Sequence, residues 1–441
     1  MMILRNARYL GEPHDLLVRD GRVAAFGPAG SMEAAVPSDA ETVDAAGQVL
    51  FPSFIDAHVH LREPGFEWKE DVASGLSAAA HGGVGRVLCM ANTDPINDDA
   101  GVTRLILDAG ARSHPHGPYA HPVAAATVGL KGQELAPLGE LAAAGCVAVS
   151  NDGVPLADTE IVRRVMEYAA DLGLILIDHC EDPALARKAH MSEGRLSGLM
   201  GVKGQPDAAE AIQAARDILL ADYLGLPVHI AHVSCRRTLD VIAWGKARGV
   251  RVTAETCPHY LLLDESALEG YNTNAKVNPP LRTPDDVEAM RTAVKSGLID
   301  ILVTDHAPHA AHEKEHPLDQ VPNGITGLDT AVTLMWALIA GGILDEADLM
   351  RLYAWRPADI FGLPVNRFQP GDPADFCLFD PGREWVVEPH TLYSKSANTP
   401  WLGKTLRGRV SAHWMGGVQI VYTPKRRLFH IPPFQARFET F

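Results

Sequence analysis

The sequence predicts an α/β protein: a parallel (β/α)8 barrel of the TIM type, with a small β domain formed by both chain termini. Three observations carry this. Between about residues 50 and 345, eight short runs of apolar, β-branched residues recur, as expected of strands buried on both faces. Ala- and Leu-rich stretches with helical periodicity separate most of them. The two ends of the chain instead read as strand and turn.

Taken in order, residues 2–28 form short strands. Asp20-Gly21, between Leu16-Leu17-Val18 and Val23-Ala24-Ala25-Phe26, supplies a hairpin turn. The barrel strands are expected at 53–60, 84–92, 121–129, 146–152, 174–180, 227–233, 251–258 and 299–305. Helices are expected at Thr159–Leu172, Ala208–Leu224, Arg237–Arg248 and Pro284–Ser296, among others. Strand character returns at 375–379 and 418–422. The expected division is therefore a catalytic barrel over 51–365 and a composite β domain from 1–50 and 366–430. An open doubly wound sheet is the weaker alternative, because no G-x-G-x-x-G or phosphate loop follows a strand.

Composition narrows the functional classes. The 441 residues are 46% hydrophobic and 21% charged, enough apolar material for a large core. With 39 basic and 55 acidic residues the net charge is −16, which disfavours a nucleic-acid partner. The six cysteines form no C-x-x-C pair and read as reduced thiols of a cytoplasmic protein. The longest mostly apolar run, Ala331 to Leu344, is shorter than the roughly 20 residues needed to span a bilayer, so no membrane association is expected.

Polar residues gather at the C-terminal ends of the strands, where barrel enzymes carry their sites. His58 and His60, two apart, share a strand face; so do Asp152 with Ser150, His179 with Ile177, and Asp305 with Val303. His232 is in phase with Val228 and Ile230, which directs His229 toward the helix layer. Four histidines and two aspartates from five strand ends suit Zn2+ or a similar divalent ion. Six ligands exceed one tetrahedral site but suffice for two ions sharing a carboxylate, a pair that can hold a bridging hydroxide.

Asp56-Ala57-His58-Val59-His60-Leu61-Arg62-Glu63-Pro64-Gly65 resembles the D-x-H-x-H-L-R-E-P-G motif of class I dihydroorotases, in the amidohydrolase superfamily. The resemblance extends through Asn92-Thr93-Asp94-Pro95, Ser150-Asn151-Asp152-Gly153, Asp178-His179-Cys180-Glu181 and His229-Ile230-Ala231-His232-Val233-Ser234. It continues through Asn278-Pro279-Pro280-Leu281-Arg282, Thr304-Asp305-His306-Ala307-Pro308-His309 and Ser394-Lys395-Ser396-Ala397-Asn398-Thr399-Pro400.

It implies reversible cyclisation of N-carbamoyl-L-aspartate to L-dihydroorotate in pyrimidine synthesis. His58, His60 and Asp305 would hold one metal and His179 and His232 the second, two Zn2+ per subunit bridged by Asp152. A hydroxide held between the metals would attack the ring amide, with Asp305 as general acid/base. Arg62, Asn92 and His309 would take the substrate carboxylate, and Asn278 would touch the ring. The resemblance also implies a homodimer, and in some relatives a complex with aspartate transcarbamoylase.

Two features depart from the family pattern. Asn151 replaces an aspartate beside the bridge. Lys131 superficially resembles the carboxylated lysine of other relatives, but it stands farther from His179 than that lysine does, which favours Asp152. His306, His312 and His316, in or beside the charged stretch Ala310 to Glu315, read as a solvated loop, which in this family covers the substrate. Cys180, Cys235 and Cys257 read as inert thiols. The rival activities are those of hydantoinases or allantoinases, for which Arg62 has no required role, and a non-catalytic scaffold, which would not keep every ligand.

Overall fold

The computed structural model describes residues 1–33 and 36–422; residues 423–430 of the expected composite domain lie outside them. Eight parallel strands pair in strict chain order: Phe54–Val59, Val84–Cys89, Tyr119–Ala125, Ala148–Ser150, Leu176–Asp178, Val228–Ile230, Val252–Thr256 and Ile301–Leu302. Each falls within or overlaps a predicted run, but is shorter. The His60 N–H donates to the His306 carbonyl (2.8 Å), and a parallel bridge joins Val59 to His306, so the last strand closes on the first.

The barrel interior is filled by Ile55, Leu88, Val123, Ala148, Ile177 and Ile301. The opposite faces of the strands pack on helices through a separate apolar layer that includes Val87, Val149, Leu176, Val228, Ile230 and Val252. Local chemistry sets the helix ends. Thr283-Pro284-Asp285-Asp286 starts the helix Pro284–Ser296 with a capping box and proline in the first turn, and Gly297 closes it in the left-handed conformation. The Ala331–Ala340 helix buries most of its residues, and its Thr333 Oγ1 donates to the Gly408 carbonyl in the strand Thr405–Met415 (2.8 Å). Among the described residues, no helix is long and apolar enough to cross a membrane.

Both chain ends meet in a second eight-stranded sheet. Val49–Pro52 pairs antiparallel with Phe376–Val386, with Pro52 opposite Phe376. Asp20-Gly21 turns between Glu12–Arg19 and Arg22–Pro28 with positive φ at both residues (51° and 73°), the twist a two-residue hairpin needs. Chain direction passes from Pro52 straight into the first barrel strand. This seats the sheet beside the barrel and leaves the C-terminal strand ends to the site.

Candidate metal centre and active site

All six predicted ligands converge at that end of the barrel. Asp152 stands at their centre. Its Oδ1 lies 3.4 Å from His58 Nε2, 3.4 Å from His179 Nδ1 and 3.3 Å from His232 Nε2. Its Oδ2 lies 3.4 Å from His60 Nε2. Asp305 Oδ1 lies 3.3 Å from His60 Nε2 and 3.8 Å from His58 Nε2. The donor atoms form two triplets, His58–His60–Asp152 and Asp152–His179–His232, that share one carboxylate.

This nitrogen-and-carboxylate donor set fits divalent cations. A second observation agrees: His58 Nε2 is buried with no hydrogen-bond partner, an orphan beside two carboxylates. The field of the site attracts positive charge. Burial alone would lower the His58 pKa, yet Asp152 and Glu255 hold it well above the ordinary value. Burial alone would raise that of Asp152, yet the surrounding imidazoles hold it well below the carboxylate range.

Outer partners orient the rings. His58 Nδ1 donates to Glu255 Oε1 at 2.7 Å, which turns Nε2 inward. His60 Nδ1 donates to Asn92 Oδ1 at 2.8 Å. Asn278 Nδ2 donates to Glu181 Oε2 at 2.7 Å, and the same oxygen lies 3.5 Å from His179 Nε2. Glu255 and Glu181 escaped the sequence reading. A lone acid inside the apolar run Val252–Thr256 was the available signal for Glu255; Glu181, two residues past His179, shares that histidine's strand phase.

The backbone corrects one expectation. Val228 and Ile230 pack on the helix layer, so His229 faces the barrel interior, where its ring meets Phe361 at 5.6 Å. His232 nevertheless reaches the centre because it lies beyond the end of its strand with φ of 30°, where strand alternation no longer holds. Asp305 (φ 48°) and Arg62 (φ 64°) share this unusual left-handed backbone. Strain of this kind persists where surrounding structure over-determines it.

A pocket of about 210 Å³ opens over the cluster, and Arg62, Asn92, Asn278 and His309 all line it. Burial lowers the Arg62 pKa to about 10, which leaves it cationic at neutral pH. His309 Nε2 donates to the Asn323 carbonyl (2.8 Å). Gly324 completes this wall: at φ 144°, a Cβ there would meet Ala307 at 2.7 Å.

The remaining singled-out residues have structural work. Asn151 accepts from Thr127 and donates to the Leu130 and Val154 carbonyls, two donations an aspartate could not make. Lys131 is exposed and outside the pocket. His312 and His316 are exposed, but His306 is fully buried and accepts from the Gly327 N–H, a correction to its reading as a solvated loop residue. The adjoining loop is anchored: Lys276 Nζ donates to the Leu318 and Val321 carbonyls, and Lys314 Nζ to those of Thr273 and Pro322. All six cysteines are buried and unpaired, and burial raises the thiol pKa of Cys180, Cys235 and Cys257.

Residues 47–238 match the family model described as "Dihydro-orotase-like". Over 414 residues the chain is 45% identical to the dihydroorotase of Geobacter metallireducens, covering 94% of this chain and 96% of that one. The chain belongs to the dihydroorotase family. A second dihydroorotase, from Geotalea daltonii, is 45% identical over 92% of this chain and 94% of its own length. Among solved structures, an L-hydantoinase (dihydropyrimidinase) from Arthrobacter aurescens superposes with a TM-score of 0.83 at 22% identity, covering 96% of each chain. A dihydropyrimidinase from Brevibacillus agri gives 0.78 at 21%, covering 96% of this chain and 95% of that one. At that identity the likeness is one of fold. The family-model match ends before Asn278, Asp305 and His309, so the full-length dihydroorotase matches are what extend the family to the second half of the pocket.

Proposed function

We propose that this pocket interconverts N-carbamoyl-L-aspartate and L-dihydroorotate. The chain is a cyclic amidohydrolase of the dihydroorotase type, acting on a small molecule with a divalent metal. The observation that carries the substrate is Arg62: a cationic guanidinium in the same pocket as the histidine–aspartate cluster, beside Asn92 and His309. Its planar fork matches a carboxylate, a group dihydroorotate has and a plain hydantoin ring lacks.

His58, His60 and Asp305 would hold one Zn2+ and His179 and His232 a second, with Asp152 available to both. Bound there, such ions supply a water of lowered pKa and a Lewis acid for the amide carbonyl. Arg62, Asn92 and His309 fix the substrate carboxylate, and Asn278 borders the ring. In the hydrolytic direction the ring C–N bond breaks. Asp305 accepts the attacking water's proton and delivers it to the leaving nitrogen. His60 and His58 hold the Asp305 pKa down against its burial, so it starts as the base.

The proposed division is a catalytic barrel domain over 51–365 and a composite β domain from 1–50 with 366–430, of which residues 423–430 lie outside those described. Six unpaired thiols suit the cytoplasm. The resemblance supports a homodimer and, as in some relatives, a complex with aspartate transcarbamoylase; ultracentrifugation with and without that enzyme tests both. The activity is tested by assaying dihydroorotate formation from carbamoyl aspartate alongside hydantoin and allantoin hydrolysis. Turnover of carbamoyl aspartate is expected, and turnover of only the other two rings would refute the assignment.

A further inference from the structure

Below the metal centre, a line of polar side chains runs through the interior of the barrel. Thr253 Oγ1 lies 2.7 Å from His229 Nδ1, and His229 Nε2 lies 3.0 Å from Glu255 Oε2. The other oxygen, Glu255 Oε1, accepts from His58 Nδ1 at 2.7 Å and from the His232 N–H at 3.2 Å. His58, Glu255 and His229 are fully buried. The line ends at half-buried Thr253, in the wall of a cavity of about 710 Å³ at the opposite end of the barrel, among Val147, Leu174, Pro227 and Phe361.

The carboxylate at the centre of the line decides which nitrogen of each ring faces it. The carboxylate can only accept, so both His58 Nδ1 and His229 Nε2 must carry hydrogen. A neutral His229 then has a bare Nδ1, which accepts from the Thr253 hydroxyl. At the other end His58, its Nδ1 given to Glu255, turns Nε2 toward Asp152 and Asp305, where that atom is buried without a hydrogen-bond partner. Neighbouring strands fill the barrel interior with Ile55, Ile177 and Ile301. Polar groups in such surroundings carry a desolvation cost that an apolar side chain of similar size would avoid.

We propose that His229 and Thr253 are positioning residues of the metal centre, acting through Glu255 to fix the ring and tautomer of His58. This rests on the metal-centre reading above. Glu255 alone could orient His58. With His229 removed, however, its second oxygen would lie unpaired in an apolar interior, and the carboxylate would turn to find another donor.

The test uses the full chain, stripped with a chelator and titrated with Co2+. Affinity and the visible spectrum of the bound ion are read together with the melting temperature. His229→Leu is expected to bind Co2+ about 10- to 100-fold more weakly than the parent, with an altered spectrum. His229→Gln, which can place an amide N–H at the Nε2 position, should recover most of the affinity and the parental spectrum. Thr253→Val, at the cavity wall, should show a smaller loss in the same direction. A folded His229→Leu protein with parental affinity and spectrum would overturn the proposal. If that variant does not fold, an unchanged spectrum and affinity in Thr253→Val would overturn it. A parent protein that binds no Co2+ would instead overturn the metal-centre reading itself.

Discussion

Replacing Arg62 with methionine keeps much of the side chain's bulk and removes the cation. In the structure Arg62 Nε donates to the Pro308 carbonyl at 3.2 Å. Its Nη2 lies 3.4 Å from His309 Nε2, but that nitrogen already gives its hydrogen to Asn323, so the outer edge of the fork is free for substrate. A hydrogen bond to a charged group contributes about 1.5–3 kcal/mol. Losing it corresponds to a fall of about 10- to 150-fold in kcat/KM for dihydroorotate. Because the carboxylate is bound in ground and transition states alike, most of the fall should appear in KM. Dihydrouracil, which has the ring without the carboxylate, is the control: its slower hydrolysis should change little. Arg62→Lys should recover only part of the loss, since it restores charge without the fork. Equal losses on both rings, or none on either, would refute the role given to Arg62.

Further outcomes follow from the same geometry. Asp305→Asn should keep the fold but reduce turnover by about 10²–10⁴-fold, the usual worth of a general acid/base; near-parental kcat would exclude that role. Asp152→Asn should lower the metal content per chain, measured by elemental analysis, and unchanged stoichiometry would exclude a bridging ligand. In the metal-free protein, burial pulls the His179 pKa down, but hydrogen bonds to Asp152 and Glu181 carry it up to about 10. A proton held more tightly in the folded state stabilises fully below the unfolded pKa of about 6.5. That contribution is lost as pH rises through about 10, so the melting temperature of stripped protein should fall over this window. Zinc-loaded protein, with an ion in place of that proton, should fall less, and parallel declines would contradict the assignment. Lys314→Met leaves the Thr273 and Pro322 carbonyls without their ammonium donor, at about 1–3 kcal/mol for each group that stays buried and unpaired. Faster proteolysis between residues 310 and 324 and a raised KM should follow, and an unchanged cleavage rate would show that Lys314 does not anchor the loop.

The barrel was legible because its strands are buried on both faces and its helices carry their own caps, as at Thr283 and Gly297. Strand alternation gives Asp152 and His179 the phase of the inward residues Ala148 and Ile177, whereas Asp305 reaches the centre on left-handed backbone (φ 48°) past its strand end. Alternation does not carry to His232, whose left-handed backbone past the strand end brings it to the centre out of phase with His229, the inward residue of the strand Val228–Ile230. Glu255 and Glu181 carry faint marks in the sequence, a lone acid in an apolar run and a shared strand phase, and it is tertiary contact that singles them out among 55 acids. The role of Lys276 is hidden for a similar reason: its partners include backbone carbonyls of a distant loop, which carry no mark in the sequence.

The most direct measurement is the initial rate of dihydroorotate formation from N-carbamoyl-L-aspartate by chelator-stripped protein as Zn2+ is titrated in. The rate should start near zero and level off at two ions per chain. Full activity in the stripped protein, or none at any zinc level, would contradict the binuclear centre built on Asp152.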